Sequence, residues 1–332
     1  MSKLKYLIKR IFHMNYKKFF KTIDDVHKRS GKSKVFLFFD CIICGLKYQA
    51  GYMDYQLFEM YKMNSKERKT IITRGKNNAI MKKYNNPEYV KYFHQKDLFN
   101  EKFNKYLNRE WILVKENNFH DVKKFLKGKE YVMAKPIDGT CGQSIEKICV
   151  KDYKPEKLYD YVLKKGIVLL EEVATQCKEI SELHPNSINT LRVVTLRGKV
   201  AVAFLRIGNK GYVVDNFNHE GLAAPIDVET GIINYPAIDK QHHEYIEHPM
   251  THKKIVGLSI PNWDKVIKLC EDASREIPEL GYVGWDVCVG EKKLSLIEGN
   301  EFPGHDIYQL PPHREGNWGL YPKFVEIMEE DK

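Results

Sequence analysis

Two short β-rich runs near the C-terminus constrain the fold most, because they carry alternating polar side chains and are followed by a glycine-proline turn. They lie within residues 281–304, which read GYVGWDVCVGEKKLSLIEGNEFPG. Alternate residues of a strand share one face, so Glu298 and Asn300 are predicted to point the same way. If residues 290–293 form the turn of a hairpin, an odd-length loop puts Asp286 on that face and an even-length loop puts it on the other.

These three side chains are candidate metal ligands. Two carboxylates and one amide oxygen on rigid strands suit a hard cation such as Mg²⁺, which takes oxygen ligands and keeps waters or substrate phosphates in its other positions. The alternative is a solvated hairpin face with ordinary polar residues. Asp286, Glu298 and Asn300 therefore predict a nucleotide-metal site only if phosphate-binding motifs occur elsewhere in the chain.

The excess positive charge is confined to one end of the chain. The formal net charge is +10, and residues 1–34 contain 11 Lys or Arg against two Asp. A protein that binds nucleic acid generally spreads its basic residues over a groove-sized surface, so the sequence argues against a nucleic-acid partner. With 332 residues, the chain is long enough for more than one packed unit.

The N-terminal segment has the pattern of a basic amphipathic helix. Apolar residues recur at a spacing of three and four over residues 4–23, and lysines fill the other positions. Such a helix binds an anionic membrane surface, or it packs its apolar face on the rest of the protein. Residues 29–34 are predicted to be a flexible linker.

Cysteine usage and apolar runs indicate a cytoplasmic protein. The seven cysteines are scattered, and Cys41 and Cys44 form a lone CxxC pair that is best interpreted as two buried thiols. The apolar run over residues 35–46 is interrupted by Asp40 and is too short to span a bilayer. No signal peptide is predicted.

The order of elements predicts an α+β protein in three parts. Helical patterns cover residues 35–84 and 87–106, and short β-rich runs with turns and occasional helices follow. We predict a basic helix and linker at 1–34, a helical unit at 35–108 and a catalytic domain at 109–330.

Two motifs suggest nucleotide binding. A strand ends at Lys135 and is followed by a turn that contains glycines, whose backbone N–H groups can approach phosphate oxygens. A second apolar strand ends in carboxylates, which can contact a ribose hydroxyl. A plain hairpin and a solvated strand end are the ordinary alternatives. The residues of these motifs are Lys135, Gly139, Thr140, Gly142, Ser144, Glu171, Glu172 and Val173.

Two arginines and an asparagine-rich loop lie between these motifs and the metal hairpin. Arg192 is near the start of one predicted strand and Arg206 near the end of the next, so paired N–H donors there can hold a phosphate or a carboxylate. Asn216 lies in the loop that follows. Exposed arginines on a hairpin are the alternative interpretation.

In this order, the motifs resemble the ATP-grasp superfamily, and more closely the sugar-transfer-associated ATP-grasp family. The residues that carry the closer resemblance are Phe39, Asp40, Cys44, Lys47, Tyr48, Asp54, Tyr55, Lys96, Asn100, Phe103, Arg109, Trp111, the segment 187–192, the segment 215–217 and the segment 284–286. One departure is Glu220–Gly221, where the family tends to have paired glycines.

The resemblance implies an ATP-grasp fold and assigns roles to the motifs. Lys135 and the glycine turn would bind the phosphates of ATP, residues 171–173 would line the adenine, and either Lys96 or Lys102 would be a further nucleotide lysine. Arg192, Arg206 and Asn216 would act on the transferred phosphoryl group or the acceptor, and the hairpin would hold Mg²⁺.

The same resemblance implies the reaction. It is that of a ligase which uses ATP to convert a carboxylate to an acylphosphate, and an amine then attacks this intermediate to give an amide. The family's association with polysaccharide synthesis implies a uronic acid or related glycan acceptor. The basic amphipathic N-terminal segment predicts a peripheral location on the inner face of the cell membrane. A kinase that phosphorylates a sugar or lipid-linked sugar hydroxyl is the alternative activity.

Overall fold

The computed structural model describes residues 15–137, 145–166, 168–210, 217 and 220–330. The helices are α1 (Tyr16–Ser30), α2 (Lys34–Tyr48), α3 (Tyr52–Leu57), α4 (Ser65–Thr70), α5 (Arg74–Tyr84), α6 (Lys91–His94), α7 (Lys96–Lys102), α8 (Asn104–Leu107), α9 (Phe119–Leu126), α10 (Pro155–Lys164), α11 (Lys178–Ser181), α12 (Trp263–Ser274) and α13 (Tyr321–Glu329). The strands are β1 (Trp111–Leu113), β2 (Tyr131–Lys135), β3 (Glu146–Cys149), β4 (Leu169–Glu172), β5 (Leu191–Leu196), β6 (Lys199–Ile207), β7 (Leu222–Ile226), β8 (Ala237–Ile238), β9 (Glu244–Tyr245), β10 (Tyr282–Val289) and β11 (Leu294–Asn300).

The chain divides into two compact units, Met1–Lys83 with Gly304–Lys332, and Tyr84–Pro303. The α+β prediction is confirmed, because helices combine with two antiparallel sheets. The helical region that precedes the sheets is also confirmed, although residues 87–107 form a succession of short helices instead of one long helix. The three domains predicted from the sequence stay a prediction.

The first unit is built on α1 and α2. The Asn15 side chain caps α1 by accepting a hydrogen bond from the Lys18 N–H, and Gly31 ends the helix in the left-handed conformation with φ 69°. The predicted linker is therefore reduced to residues 31–33. Cys41 and Cys44 are buried free thiols, as expected, and burial raises the pKa of each to about 12.

The second unit contains both sheets. One has the strand order β1-β4-β2-β3 and the other the order β11-β10-β5-β6-β7-β8-β9. The predicted strand over residues 211–216 lies outside the described residues. Trp285 is fully buried in the larger sheet's core, where its ring contacts Phe93 and Phe103 and its N–H donates to Thr195.

No helix within the described ranges combines the length and the apolar character needed to cross a bilayer.

Candidate active site

Four neighbouring strands of the larger sheet bring charged side chains to one face. Asp286 on β10 pairs in register with Arg192 on β5 and with Glu298 on β11. Residues directly opposite one another in an antiparallel pair share a face, so these three side chains meet. Arg206 reaches the same group from β6, the strand on the far side of β5.

A β-bulge decides on which face Asp286 lies. The hairpin loop consists of residues 290–293, an even number, which alone would place Asp286 opposite Ile297 and away from Glu298. The pairing instead shifts by one residue after Val287↔Leu296, so that Asp286 faces Glu298 and Gly284 faces Asn300. The expected common face of Asp286, Glu298 and Asn300 is therefore present, although the loop length predicted the opposite.

Asp286 is held between the two arginines. Its Oδ1 accepts from Arg192 Nε at 2.5 Å, and its Oδ2 accepts from Arg192 Nη2 at 3.0 Å and from Arg206 Nη1 at 2.9 Å. Only 3% of Asp286 is exposed. Burial alone would raise the pKa of this carboxyl, but the arginine charges outweigh it and hold the pKa well below its usual range. The carboxylate is thus ionised at neutral pH.

Gly284 lies against the side chain of Arg192, which contacts Asp286. It lies two residues before Asp286 on the same face of β10. A Cβ at this position would lie 3.1 Å from Cδ of Arg192 and 3.3 Å from Cβ of Pro303. A side chain here would therefore require Arg192 or Pro303 to shift by a few tenths of an ångström.

Glu298 is chemically distinct from Asp286. Desolvation and the neighbouring charge of Asp286 raise the pKa of Glu298 to about 7. Glu298 also keeps part of its surface in contact with solvent, so water weakens the desolvation and the repulsion by Asp286. The pKa of Glu298 is still raised, because Glu298 forms a hydrogen bond with a second carboxyl that is ionised. The Asn300 amide donates weakly to Glu298 Oε1 at 3.4 Å.

The donor types at this face fit Mg²⁺. Carboxylate and amide oxygens are ligands that this ion accepts. A carboxylate offers roughly four lone-pair positions, and the arginines donate three hydrogen bonds to Asp286. A cation bound by Glu298 and Asn300 would therefore share Asp286 with Arg192 and Arg206.

A second cluster of charges surrounds Glu171 at β4. Its Oε2 accepts from Lys135 Nζ at 2.7 Å and from Arg109 Nε at 3.0 Å, and its Oε1 accepts from Asn100 at 2.8 Å. The Glu171 side chain is 3% exposed. Its carboxylate is therefore the counter-ion of two cations. The sequence pattern predicted instead that it contacts a ribose hydroxyl, with a solvated strand end as the alternative. Glu172, the next residue, is exposed.

Arg109 links the two sheets of this unit. It donates to Glu171 on β4 and, through Nη1, to the backbone oxygen of Leu296 on β11 at 2.6 Å. Sequence reasoning did not place Arg109 or Asn100 in the site. The available signal was their presence among the residues that carry the family resemblance.

The structure distinguishes the two candidate nucleotide lysines by position. Lys96 begins α7, and its Nζ lies 3.5 Å from the backbone oxygen of Ile137, just beyond β2. Lys102 ends the same helix, and its Nζ lies 4.0 Å from Glu276. Lys96 is therefore the one next to Ile137, two residues after Lys135 in the chain. Gly139, Thr140, Gly142, Ser144 and Asn216 lie outside the described residues.

Asn189 ties together the strands that carry the arginines. It is fully buried; its amide donates to the Ile180 oxygen at 2.9 Å and its Oδ1 accepts from the Gly208 N–H at 3.0 Å. The bond to Gly208 joins the segment before β5 to the residue after β6, and the bond to Ile180 ties the same segment to α11. The segment 187–192, which carries part of the resemblance, thus has a structural role that its sequence alone did not indicate.

Glu220 is one of the two positions at which the family tends to have paired glycines, and it adopts a backbone conformation that glycine favours. Its φ is 66°, in the left-handed region that glycine favours. Its carboxylate accepts from Lys210 Nζ at 2.7 Å, in an exposed ion pair.

Comparisons with known proteins give one family and a set of distant structures. The profile of the family described as "Sugar-transfer associated ATP-grasp" matches residues 76–317. No curated protein matches the chain.

Three of the similar solved structures illustrate the sequence identity and TM-score of these matches. The ATP-grasp ligase PsnB with its minimal precursor is 14% identical with a TM-score of 0.44, covering 74% of this chain and 63% of its own. D-cycloserine synthetase DcsG is 10% identical with a TM-score of 0.43, covering 73% and 72%. The D-alanine–D-alanine ligase from Bacillus anthracis is 14% identical with a TM-score of 0.39, covering 71% and 65%. The chain spans under two thirds of the PsnB structure's length.

Proposed function

Because the chain belongs to the sugar-transfer associated ATP-grasp family, we propose that it is an ATP- and Mg²⁺-dependent carboxylate–amine ligase. In the first step a carboxylate oxygen attacks the γ-phosphorus of ATP, and ADP leaves with the electrons of the broken bond. In the second step an amine attacks the acylphosphate carbon, phosphate leaves, and the amine loses a proton. The product is an amide.

The face that carries Arg192, Arg206, Asp286 and Glu298 is the observation that supports this proposal most. Both reaction steps pass through highly anionic species, and fixed cations in a partly desolvated site stabilise such charge without reorganising. The guanidinium groups are pre-oriented by Asp286, with 15% and 14% of their side chains exposed. Glu298 and Asn300 would hold Mg²⁺, which neutralises the phosphates of ATP.

The nucleotide would lie next to the other charged cluster. Lys135 and Lys96 border the residues that enter the glycine turn, and they would contact ATP phosphates. Glu172 and Val173 follow the apolar part of β4 and would line the adenine.

The acceptor is proposed to be a uronic acid or a related carboxylate of a surface glycan, with an amino acid or other amine as the second substrate. We place the enzyme in the cytoplasm, peripheral to the inner face of the membrane. The family description, sugar transfer, supports the glycan acceptor.

Trapping of the acylphosphate tests the reaction. The protein is incubated with ATP, Mg²⁺, a panel of uronic acids and hydroxylamine, and the products are read by ADP release and by mass. We expect ADP release that depends on the acid, together with a hydroxamate. A stable phosphorylated sugar formed without any amine would identify a kinase and refute the ligase.

A matched pair of variants assigns the activity to the proposed site. Arg206→Ala should abolish ADP release, since it removes one of the two cations at Asp286. Arg275→Ala, which alters an exposed ion pair with Asp272 on α12, should leave it unchanged. Equal activity of the two variants would contradict the proposed site.

A further inference from the structure

Part of the amphipathic pattern of the N-terminal segment is used inside the protein. Phe19, Ile23 and Val26 of α1 are buried against α2 and α3. For these residues the packing alternative holds, and they are not available to a membrane. Tyr16 and Phe20 stay exposed, and residues 1–14 lie outside the described part of the chain.

Helix α2 presents a continuous apolar face to solvent. Its exposed apolar residues repeat at helical spacing, and each is between 39% and 69% exposed. They are Val35, Phe36, Phe39, Ile42, Ile43 and Leu46. Between Lys34 and Lys47 this face carries no charged side chain, because Asp40 points inward and pairs with Arg68 at 2.7 Å.

The apolar face continues onto α1 through aromatic contacts. Phe20 stacks on Phe38 with ring centroids 6.3 Å apart, and Phe38 contacts Phe39 edge-on at 5.3 Å. A contiguous exposed surface of this kind is uncommon on a monomer unless it contacts a partner or a membrane. We define the α2 face as the six residues above together with Phe20.

Lysines flank the α2 face. Residues 15–48 contain eight Lys or Arg and three Asp, and one of these acids is the buried Asp40. Lys34 and Lys47 lie at the two ends of the face, and Lys34 also pairs with the half-exposed Asp24 at 2.6 Å. Lys17 and Lys21 are exposed on α1 beside Phe20. An apolar surface rimmed by cations is the combination that inserts into the interface of an anionic bilayer.

We propose that the α2 face docks on a membrane that contains anionic lipid, with Phe36, Phe39 and Ile43 entering the headgroup boundary and the flanking lysines contacting the headgroups. The inference rests on the proposed location of the enzyme and deepens it by naming the surface of contact. It does not depend on which reaction the enzyme catalyses.

A second copy of the chain is a less suitable occupant. In a two-fold interface the same surface meets itself, so pairing α2 with α2 brings lysines to lysines in either relative direction. In one direction Lys34 meets Lys47, and in the other each meets its own copy. Like charges opposed across an interface are unfavourable, whereas anionic headgroups attract the same lysines.

Co-sedimentation with vesicles tests the proposal. The full chain is mixed with vesicles of phosphatidylcholine, or of phosphatidylcholine with phosphatidylglycerol. We expect binding to the anionic vesicles that weakens with added salt. The double variant Phe39→Ser and Ile43→Ser should bind them at least about tenfold more weakly, because it removes two inserted apolar side chains.

The matched control is Ile246→Ser with Met250→Ser. These two residues are also exposed, at 64% and 52%, and lie in the other unit, so their replacement should leave vesicle binding unchanged. Light scattering after size-exclusion chromatography gives the molar mass of each variant.

Two outcomes would overturn the inference. In the first, the α2 double variant binds vesicles as tightly as the parent, which would assign binding to another surface. In the second, the parent is a dimer that the double variant converts to a monomer, which would assign the face to a second copy. ADP release from soluble substrates is measured in parallel, so a failed reaction and a failed docking surface are told apart.

Discussion

Replacement of Glu171 by glutamine distinguishes a structural counter-ion from a nucleotide ligand. In the structure, the Glu171 carboxylate joins Lys135, Arg109 and Asn100, and Arg109 is itself only 3% exposed in its side chain. Glutamine keeps the shape but removes the charge, so two cations would be left without their common partner. We expect a large loss of stability from this single change.

The magnitude follows from the burial of the cluster. Removing one partner of a buried ion pair destabilises a protein by about 3–5 kcal/mol, because the other charge stays buried. For a unit of about 200 residues, 1 kcal/mol corresponds to roughly 2–4 °C in Tm, which gives a decrease of about 6–20 °C. A ribose ligand exposed in a cleft would instead change ATP affinity and leave Tm almost unaltered.

Urea unfolding and thermal melts without nucleotide provide the assay. Glu156→Gln is the matched control, since Glu156 pairs with Lys123 on the surface with more than half of each side chain exposed. A Tm of Glu171→Gln equal to that of the control, combined with weaker ATP binding, would refute the counter-ion interpretation.

The pH dependence of the free energy of unfolding, compared between the parent and Glu171→Gln, supplies an independent check. Burial opposes ionisation of Glu171, but Lys135 and Arg109 overcome it and lower its pKa well below the ordinary value. The folded-state pKa thus lies below the unfolded value of about 4.3. The ionised Glu171 carboxylate therefore stabilises the folded protein fully above the unfolded-state pKa. This stabilisation is lost as the pH falls below that value and Glu171 becomes protonated. The stability gap between the parent and Glu171→Gln should therefore narrow below about pH 4.

Two further predictions concern turnover and nucleotide affinity. Asp286→Asn should abolish Mg²⁺-dependent ADP release in a spectrophotometric assay, because it removes the charge of a metal ligand. The control variant Asp272→Asn should retain this activity. Substantial ADP release by Asp286→Asn would exclude Asp286 as a metal ligand. Lys135→Ala and Lys96→Ala should each weaken ATP binding, measured by calorimetry, by about 1.5–3 kcal/mol. Lys102→Ala should leave ATP binding unchanged. Equal effects of Lys96→Ala and Lys102→Ala would contradict the assignment of Lys96 as the nucleotide lysine.

The β10–β11 hairpin shows which features of the site follow from the local sequence pattern. The alternation of Glu298 and Asn300 onto one face follows from the two-residue period of a strand. The position of Asp286 relative to them does not follow, because a bulge shifts the register after Val287↔Leu296. A bulge inserts one residue and reverses the outcome predicted from the loop length.

The contacts of Glu171 could not be predicted from the local sequence pattern. Its partners are 71, 62 and 36 residues away in the chain. The sequence gives the type of each side chain but not which cation a buried carboxylate will meet. The hydrogen bonds of Asn189 to Ile180 and Gly208 likewise depend on how strands and loops come together.

The sequence by itself determined the α+β class, the strand β2, the buried thiols and the family, because periodicity and motif order are properties of consecutive residues. Tertiary structure decided which apolar faces are covered. Helices α1 and α2 both carry apolar stripes, yet Phe19 and Ile23 are buried while Phe39 and Ile43 are exposed. The physical reason is that amphipathic spacing defines a face, whereas its burial depends on what the rest of the chain packs against it.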